Sequence, residues 1–372
     1  MKLDLPGVIT AAELDSTARH LAALQQPTGM IPWFPGGHCD PWNLVETAMA
    51  LDVVGYHAEA MAAYRWLAAT QLPSGAWPNY FAADGTVEDD KLDTNVCAYI
   101  ATGVLHHWMC TASREDAEAL WPAVDRALSF VLAQRRDDGL VLWAIAADHT
   151  KSWDYALLTG SSSIAHALRC GARLGAMLGH RRPRWHRAAE QIGAAIVERP
   201  DAFEPKQRWA MDWYYPVMCG ALDVSGGKAR LADGWATFVM EGLGVRCVSD
   251  EPWVTASETA ECAIAFAAIG DTDTAADLLR WTRTHRRSDG SYWTGIVYPE
   301  SPMTDASDEA PAEERQATAC VAGERNGVYP ESLMFPFEEH TSYTAAAVIL
   351  AADAIAGAGP ASRIFASHAG WY

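Results

Sequence analysis

The stretch YTAAAVILAADAIA, residues 343–356, carries a single charge, Asp353. A helix that is apolar all round is a buried one. CAYIATGVLHHWM (97–109) and SIAHALRCGARLGAML (163–178) have the same character, and their small residues allow close helix approach. AEAMAAYRWLAATQ (58–71) differs. Met61, Tyr64 and Leu67 share one face, with Glu59 and Arg65 outside it. The two kinds alternate along the chain. Amphipathic segments lie at about 11–25, 58–71, 115–135, 184–199, 228–240 and 272–286. The more uniformly apolar ones lie at about 42–54, 94–108, 160–178, 215–223, 256–269 and 342–357. The first set predicts an outer ring of helices and the second an inner ring.

The links alternate as well. VGYH, CTASRE, GHRRP, VSGGK and GDTDT lead from inner to outer helices and have the usual length for antiparallel neighbours. Gly55, Gly179, Gly226 and Gly270 fall where a helix end favours a left-handed residue. Links from outer to inner helices are long and rich in Trp, Gly, Pro and carboxylates. QQPTGMIPWFP, QLPSGAWPNY, QRRDDGLVLWA and HRRSDGSYWTG place Gly29, Gly75, Gly139 and Gly290 just past a helix end, then aromatics. Helix-pair repeats of this kind mean a solenoid or a closed toroid, and wholly apolar inner helices favour closure. The pattern predicts an all-α fold, an (α/α)6 toroid forming one domain over 1–372, with every rich link at one end. Residues 299–336 are acidic, Pro-rich and unpatterned, an insertion that reads as either a lid or disorder.

With 47 acidic against 28 basic residues, the net charge of −19 argues against nucleic acid or an anionic membrane as partner. MKLDLPGVIT has no signal-peptide core, and no segment has the length and uniformity of a membrane span. The eight Cys are scattered singly, which suggests reduced thiols in a cytoplasmic protein, monomeric or homodimeric. No HExxH, EF-hand, P-loop or GxGxxG is present, so no metal or other cofactor is expected.

The 16 Trp concentrate in the long links. Sugar rings stack on such flat platforms, although a Trp at a ring end can also simply cap the core. Asp40, followed by Pro41, reads equally as a helix N-cap and as a cleft carboxylate. Glu46 shares the face of Trp42 and Met49 and needs an Arg or His partner unless it is functional. Asp93 reads as a cap. Asp212 reads as a loop carboxylate, because Pro216 belongs near the first turn of the following helix. Thr255 and Glu258 fit a capping box, with Glu261 nearly a turn later, so one of these glutamates is expected to be structural and the other chemical. Glu338, Glu339 and His340 precede the last helix. Carboxylates facing each other across an aromatic cleft suit glycoside hydrolysis, which needs one protonated acid and one carboxylate.

The G-x-W-type links resemble those of squalene cyclases and protein prenyltransferases. The cyclases' DxDD acid is absent, since VEDDK (87–91) starts with Val87, and the prenyltransferases' zinc ligands have no match. A second resemblance spans nearly the whole chain. The runs at 36–51, 94–108, 157–171, 211–217, 244–262, 289–295 and 340–354 resemble an actinobacterial group often labelled "prenyltransferase". Within it, the chain is similar to the mycobacterial hydrolases of 3-O-methylmannose polysaccharide. The resemblance implies an α-(1→4)-endomannosidase acting on a polysaccharide. It implies catalytic roles for Asp40 and Glu258, with Asp212 and Glu261 in reserve. Substrate contacts are expected from Trp33, His38, Trp42, Glu46, Trp77 and Asn95, and from Trp213, Tyr214, Trp253, Trp293, Glu339 and His340. A terpenoid cyclase or prenyltransferase and a non-catalytic glycan-binding toroid are the alternatives.

Overall fold

The computed structural model describes residues 3–298, 333–337 and 339–366. It is mostly helical. The outer helices are α1 (Ala11–Leu24), α3 (His57–Thr70), α6 (Arg114–Ala133), α8 (Pro183–Glu198), α10 (Val224–Phe238) and α12 (Thr272–Trp281). The inner ones are α2 (Pro41–Val53), α4 (Thr94–Ala98) continued by α5 (Ile100–Thr111), α7 (Leu158–Leu178), α9 (Ala210–Met218), α11 (Ala256–Ala268) and α13 (Ser342–Ala356). Every predicted helical segment is present. Packing runs from α2 to α5, α7, α9, α11 and α13, and α13 returns to α2. Each inner helix also packs on the outer helix that follows it, and α13 on α1. The inner members are buried on nearly all sides, as their low charge requires.

The glycines of the rich links show why the repeat exists. Gly29, Gly75 and Gly290 all have φ near +90°. A Cβ on Gly29 would lie 2.3 Å from the Ala62 carbonyl oxygen of α3. On Gly75 it would lie 2.4 Å from that of Arg126 in α6, and on Gly290 2.6 Å from that of Ser16 in α1. Each link is thus pressed onto the backbone of the next outer helix, and the last link presses on the first helix. Gln25 and Gln71 repeat one arrangement. Each donates from its side-chain amide to its own link glycine's carbonyl and to a carbonyl of the neighbouring outer helix, Glu59 and Ala123 respectively. An added methyl at such a contact costs about 1–3 kcal/mol by overpacking alone.

Three expectations need correction. The fold is not purely helical: the rich links pair as short antiparallel strands. β1 (Tyr80–Phe81) pairs with β2 (Val87–Asp89). β3 (Leu92–Asp93), β4 (Ala144–Ile145) and β5 (Ser152–Trp153) form a second sheet. A third, in the order β10-β9-β8-β7-β6, joins β6 (Val239–Met240), β7 (Gly244–Arg246), β8 (Trp253–Thr255), β9 (Gly295–Val297) and β10 (Leu333–Met334). So the stretch read as an irregular insertion ends in an edge strand, while 299–332 lie outside the described residues, as does Glu338. Second, α9 begins at Ala210, not near 215, with Pro216 inside it. Pro216 has no N–H to offer the Asp212 carbonyl one turn earlier. Arg230 supplies the missing donor, its Nη2 lying 2.7 Å from that oxygen. Third, VSGGK opens α10 rather than linking to it. Asp223 caps that helix by accepting from the Gly226 N–H, and Gly220, not Gly226, takes the left-handed position. Gly55, Gly179 and Gly270 do adopt it.

Candidate active site

The N-terminal ends of the inner helices and the rich links enclose a cleft of about 450 Å³. The first link and α2 supply Trp33, Asp40, Trp42, Asn43 and Glu46. The second link and α4 supply Asn79, Tyr80, Lys91, Asp93, Asn95 and Val96. Trp143, Met211, Ser257, Glu258, Glu261 and Tyr343 complete the wall.

Asp40 is the N-cap of α2, accepting from the Asn43 N–H at 3.0 Å. Its other oxygen accepts from Asn43 Nδ2 and Trp33 Nε1, both at 2.6 Å. The cap and cleft readings are therefore both met. The same design recurs at Asp93, the N-cap of α4. It accepts from the Asn95 and Val96 N–H groups at 2.8 and 3.1 Å and from Trp143 Nε1 at 2.5 Å. Burial pushes both carboxyls above their ordinary range, and these hydrogen bonds oppose the push. Asp93 is thus more than the cap that its sequence suggested.

Glu258 and Glu261 project from α11. Thr255 precedes that helix but makes no side-chain cap bond, so the expected capping box does not form. Its hydroxyl donates to the Glu258 carboxylate instead. Ser257 Oγ donates to the same group at 2.7 Å, and Cys247 Sγ at 3.5 Å. Glu261 accepts from Tyr214 at 2.5 Å and from Tyr215 at 2.8 Å, one phenol for each oxygen. Burial first, then the nearby Glu258, push the Glu261 carboxyl up to about 7, against the pull of the two phenols.

Glu46 was read as needing an Arg or His partner unless it is functional, and it has no such partner within ion-pair distance among the described residues. It is 4% exposed, and the charges around it are Glu261, Asp40 and Glu258. Burial and then these like charges hold its carboxyl well above the usual range. Trp42, on the same helix face, has one side stacked on Tyr99 at 3.7 Å. Among the described residues no group of three or more His, Cys, Asp or Glu could hold a metal ion.

The structure thus gathers Trp33, Asp40, Trp42, Glu46, Asn95, Glu258 and Glu261 in one cleft. Other expected residues stand elsewhere. Asp212 is buried in the first turn of α9, where it accepts from Thr159 Oγ1 at 2.7 Å, and it is not in the cleft wall. Trp77 is fully buried and donates to the Leu67 carbonyl. Trp213 stacks on Phe238 and donates to the Arg230 carbonyl. Both indoles are core rather than platform. Tyr214 is fully buried and reaches the cleft only through Glu261. His38 packs edge-on against Trp33 at 4.3 Å. Trp253 donates to the Phe335 carbonyl, and Trp293 lies between Arg287 and His340. Glu339 is half-buried beside Thr294, its backbone oxygen accepting from the Thr294 N–H. Of these, none borders the cleft. The wall residues that the sequence reading did not assign to the site are Asn43, Asn79, Tyr80, Lys91, Val96, Trp143, Met211, Ser257 and Tyr343, with Asp93 read only as a cap. Asn43 had a signal, since it stands three residues after a capping Asp, in the first turn of an otherwise mostly apolar helix.

No family model matches the chain. It is 42% identical over 361 residues to the MMP endo-(1,4)-3-O-methyl-alpha-D-mannosidase of Mycolicibacterium hassiacum, covering 97% of this chain and 91% of the relative. Among solved structures, a glycosidase in complex with glucose superposes with a TM-score of 0.68 at 16% identity, covering 93% of this chain and 97% of that one. The GH63 mannosylglycerate hydrolase of Thermus thermophilus gives a TM-score of 0.59 at 12% identity, covering 91% and 99%. These two speak for the fold alone. The identity to the Mycolicibacterium enzyme, across nearly all of both chains, speaks for descent: the chain belongs to the MMP endo-mannosidase family and is a glycoside hydrolase.

Proposed function

We propose that the chain hydrolyses internal α-(1→4)-mannosidic bonds of a 3-O-methylated mannose polysaccharide, with inversion, on a single (α/α)6 toroid. The observation that carries the reading is a carboxylate-lined, Trp-walled cleft in a member of this family. Asp40 is the general acid. Its burial favours the protonated form, and α2 aims it into the cleft. Glu258 is the base that activates water. Its hydroxyl and thiol neighbours hold the carboxylate in place. The two stand on α2 and α11, helices with α13 packed between them. That separation suits the roughly 6.5–9.5 Å gap of an inverting pair better than the roughly 5–5.5 Å of a retaining one. Trp33, Trp42 and Trp143 offer aromatic surface to sugar rings, and Asn43, Asn79 and Asn95 offer amides to hydroxyls. Glu261, with both oxygens taken by phenols, is a positioning group.

We also place the protein in the cytoplasm, as a monomer or homodimer. No disulfide joins the described cysteines, and no described helix is long and apolar enough to cross a membrane. Incubation with methylated α-(1→4)-mannan should release mid-length oligosaccharides before any monosaccharide. Release of mannose alone from the outset, or turnover of a prenyl diphosphate without glycan cleavage, would refute this reading.

A further inference from the structure

An ionised carboxylate only accepts hydrogen bonds, whereas a carboxylic acid also donates one. An O-methyl group presents an oxygen that only accepts. Where a methylated oxygen faces one of the cleft carboxyls, Asp40, Glu46, Asp93, Glu258 or Glu261, it can be bonded only if that carboxyl is protonated. Glu46 and Glu261 stand close enough for their charges to interact. Of the two, Glu261 is the one fitted to keep the charge, because Tyr214 and Tyr215 each donate to one of its oxygens. Glu46 has only the Trp42 indole near it and no cation within ion-pair distance among the described residues. The other titratable groups facing it are Asp40 from its own helix, Glu258 from α11, and the phenols of Tyr99 and Tyr215, which burial keeps neutral. Nothing in that set favours a charge on Glu46. Beside it Trp42, held by its stack on Tyr99, gives the cleft wall an apolar surface for a methyl group.

We propose that Glu46 is a neutral carboxylic acid that donates a hydrogen bond to an ether-type oxygen of the bound sugar, making it the residue that lets the cleft accept a methylated hydroxyl. This rests on the endo-mannosidase reading and adds to it the group that reads methylation. An ionised side chain at this position would accept a free hydroxyl and refuse its methyl ether.

The test is calorimetric binding of two α-(1→4)-mannan oligosaccharides of equal length, one 3-O-methylated and one not, to the wild type, Glu46→Gln and Glu46→Ala. The Gln amide is isosteric and retains a donor. It should keep the Kd for the methylated sugar within about threefold, whereas Ala should weaken it at least about tenfold, the scale of one lost hydrogen bond to a polar group in a closed site. Raising the pH should weaken methylated against unmethylated binding in the wild type and leave that ratio flat in Glu46→Gln. If Gln weakens the methylated sugar as much as Ala does while melting like the wild type, the proposal is wrong. It is equally wrong if the ratio ignores pH in the wild type, or if the wild type does not bind the methylated sugar. Binding without cleavage would instead refute the hydrolase reading and leave the Glu46 comparison readable.

Discussion

The two ends of the helical ring treat buried carboxylates in opposite ways. At the end formed by the short turns, Asp52 is fully buried and accepts from His57 Nδ1 and His107 Nδ1, each at 2.9 Å. Asp353, nearby, accepts from the Gly359 N–H at 3.0 Å. The segment after α13 covers this end, with Ala361, Ile364 and Phe365 buried and Phe365 stacked on His166. At the end formed by the rich links, Asp40, Glu46, Glu258 and Glu261 share an open cleft in which Glu46 has no cation partner among the described residues. A cavity with Asp52, His57 and Asp353 in its wall also exists at the turn end, about 220 Å³. What separates the two is the pair of histidines on Asp52, which Glu46 lacks, more than the presence of a cavity; Asp353 has only its backbone N–H. A paired buried carboxylate is explained by the fold, whereas an unpaired set is a cost that the fold alone does not justify.

The comparison breaks most sharply through substitution. Asp40→Asn and Glu258→Gln should each lower kcat by about 10²–10⁴-fold, the usual worth of acid–base catalysis. Folding should survive, since even the full loss of the Asp40 cap costs about 0.5–2 kcal/mol and the Glu258 substitution is isosteric. Steady-state kinetics and a melting curve on the same preparations decide it. A variant that unfolds, or keeps near-full activity, would show its residue to be structural. At the turn end the pattern should reverse. Asp52→Ala leaves His57 and His107 without their shared acceptor and should cost about 1–3 kcal/mol in urea unfolding, with kcat unchanged. A stable Asp52→Ala protein with reduced kcat would erase the distinction between the ends.

That distinction was only partly legible in the sequence. The alternation of apolar and amphipathic segments predicted the helices, because burial on all sides leaves a mark on every residue. α9 was displaced because the rescue of Pro216 comes from Arg230, a residue that only folding brings near. The strands escaped because pieces of two or three residues are too short for alternation to register. Trp77 and Trp33 occupy comparable links, yet one is core and the other faces the cleft. An indole's direction depends on neighbours across the ring. Glu46 was flagged as needing a partner, and its lack of one could be found only once α2 and α11 were in place.

A smaller effect sharpens the comparison through pH. The Glu261 carboxyl stands at about 7 against an ordinary 4.5, so the fold disfavours its ionised form. Its contribution to stability is fully present below the ordinary value and is lost as the pH rises through about 7, by up to about 3 kcal/mol. Asp353, raised by burial to about 6, adds a loss of the same sign from the other end. Stability measured by urea unfolding should therefore fall between pH 4.5 and 7. Glu261→Gln should flatten that slope without abolishing it. A slope unchanged by the substitution would mean that Glu261 ionises freely in the cleft.

The central claim is that Asp40 and Glu258 act on opposite sides of one sugar with a water molecule between them. Proton NMR during the first minutes of methylated α-(1→4)-mannan hydrolysis reads this directly. New reducing ends should appear as the β-anomer and only later mutarotate. Initial accumulation of the α-anomer would contradict the proposed pair and its spacing.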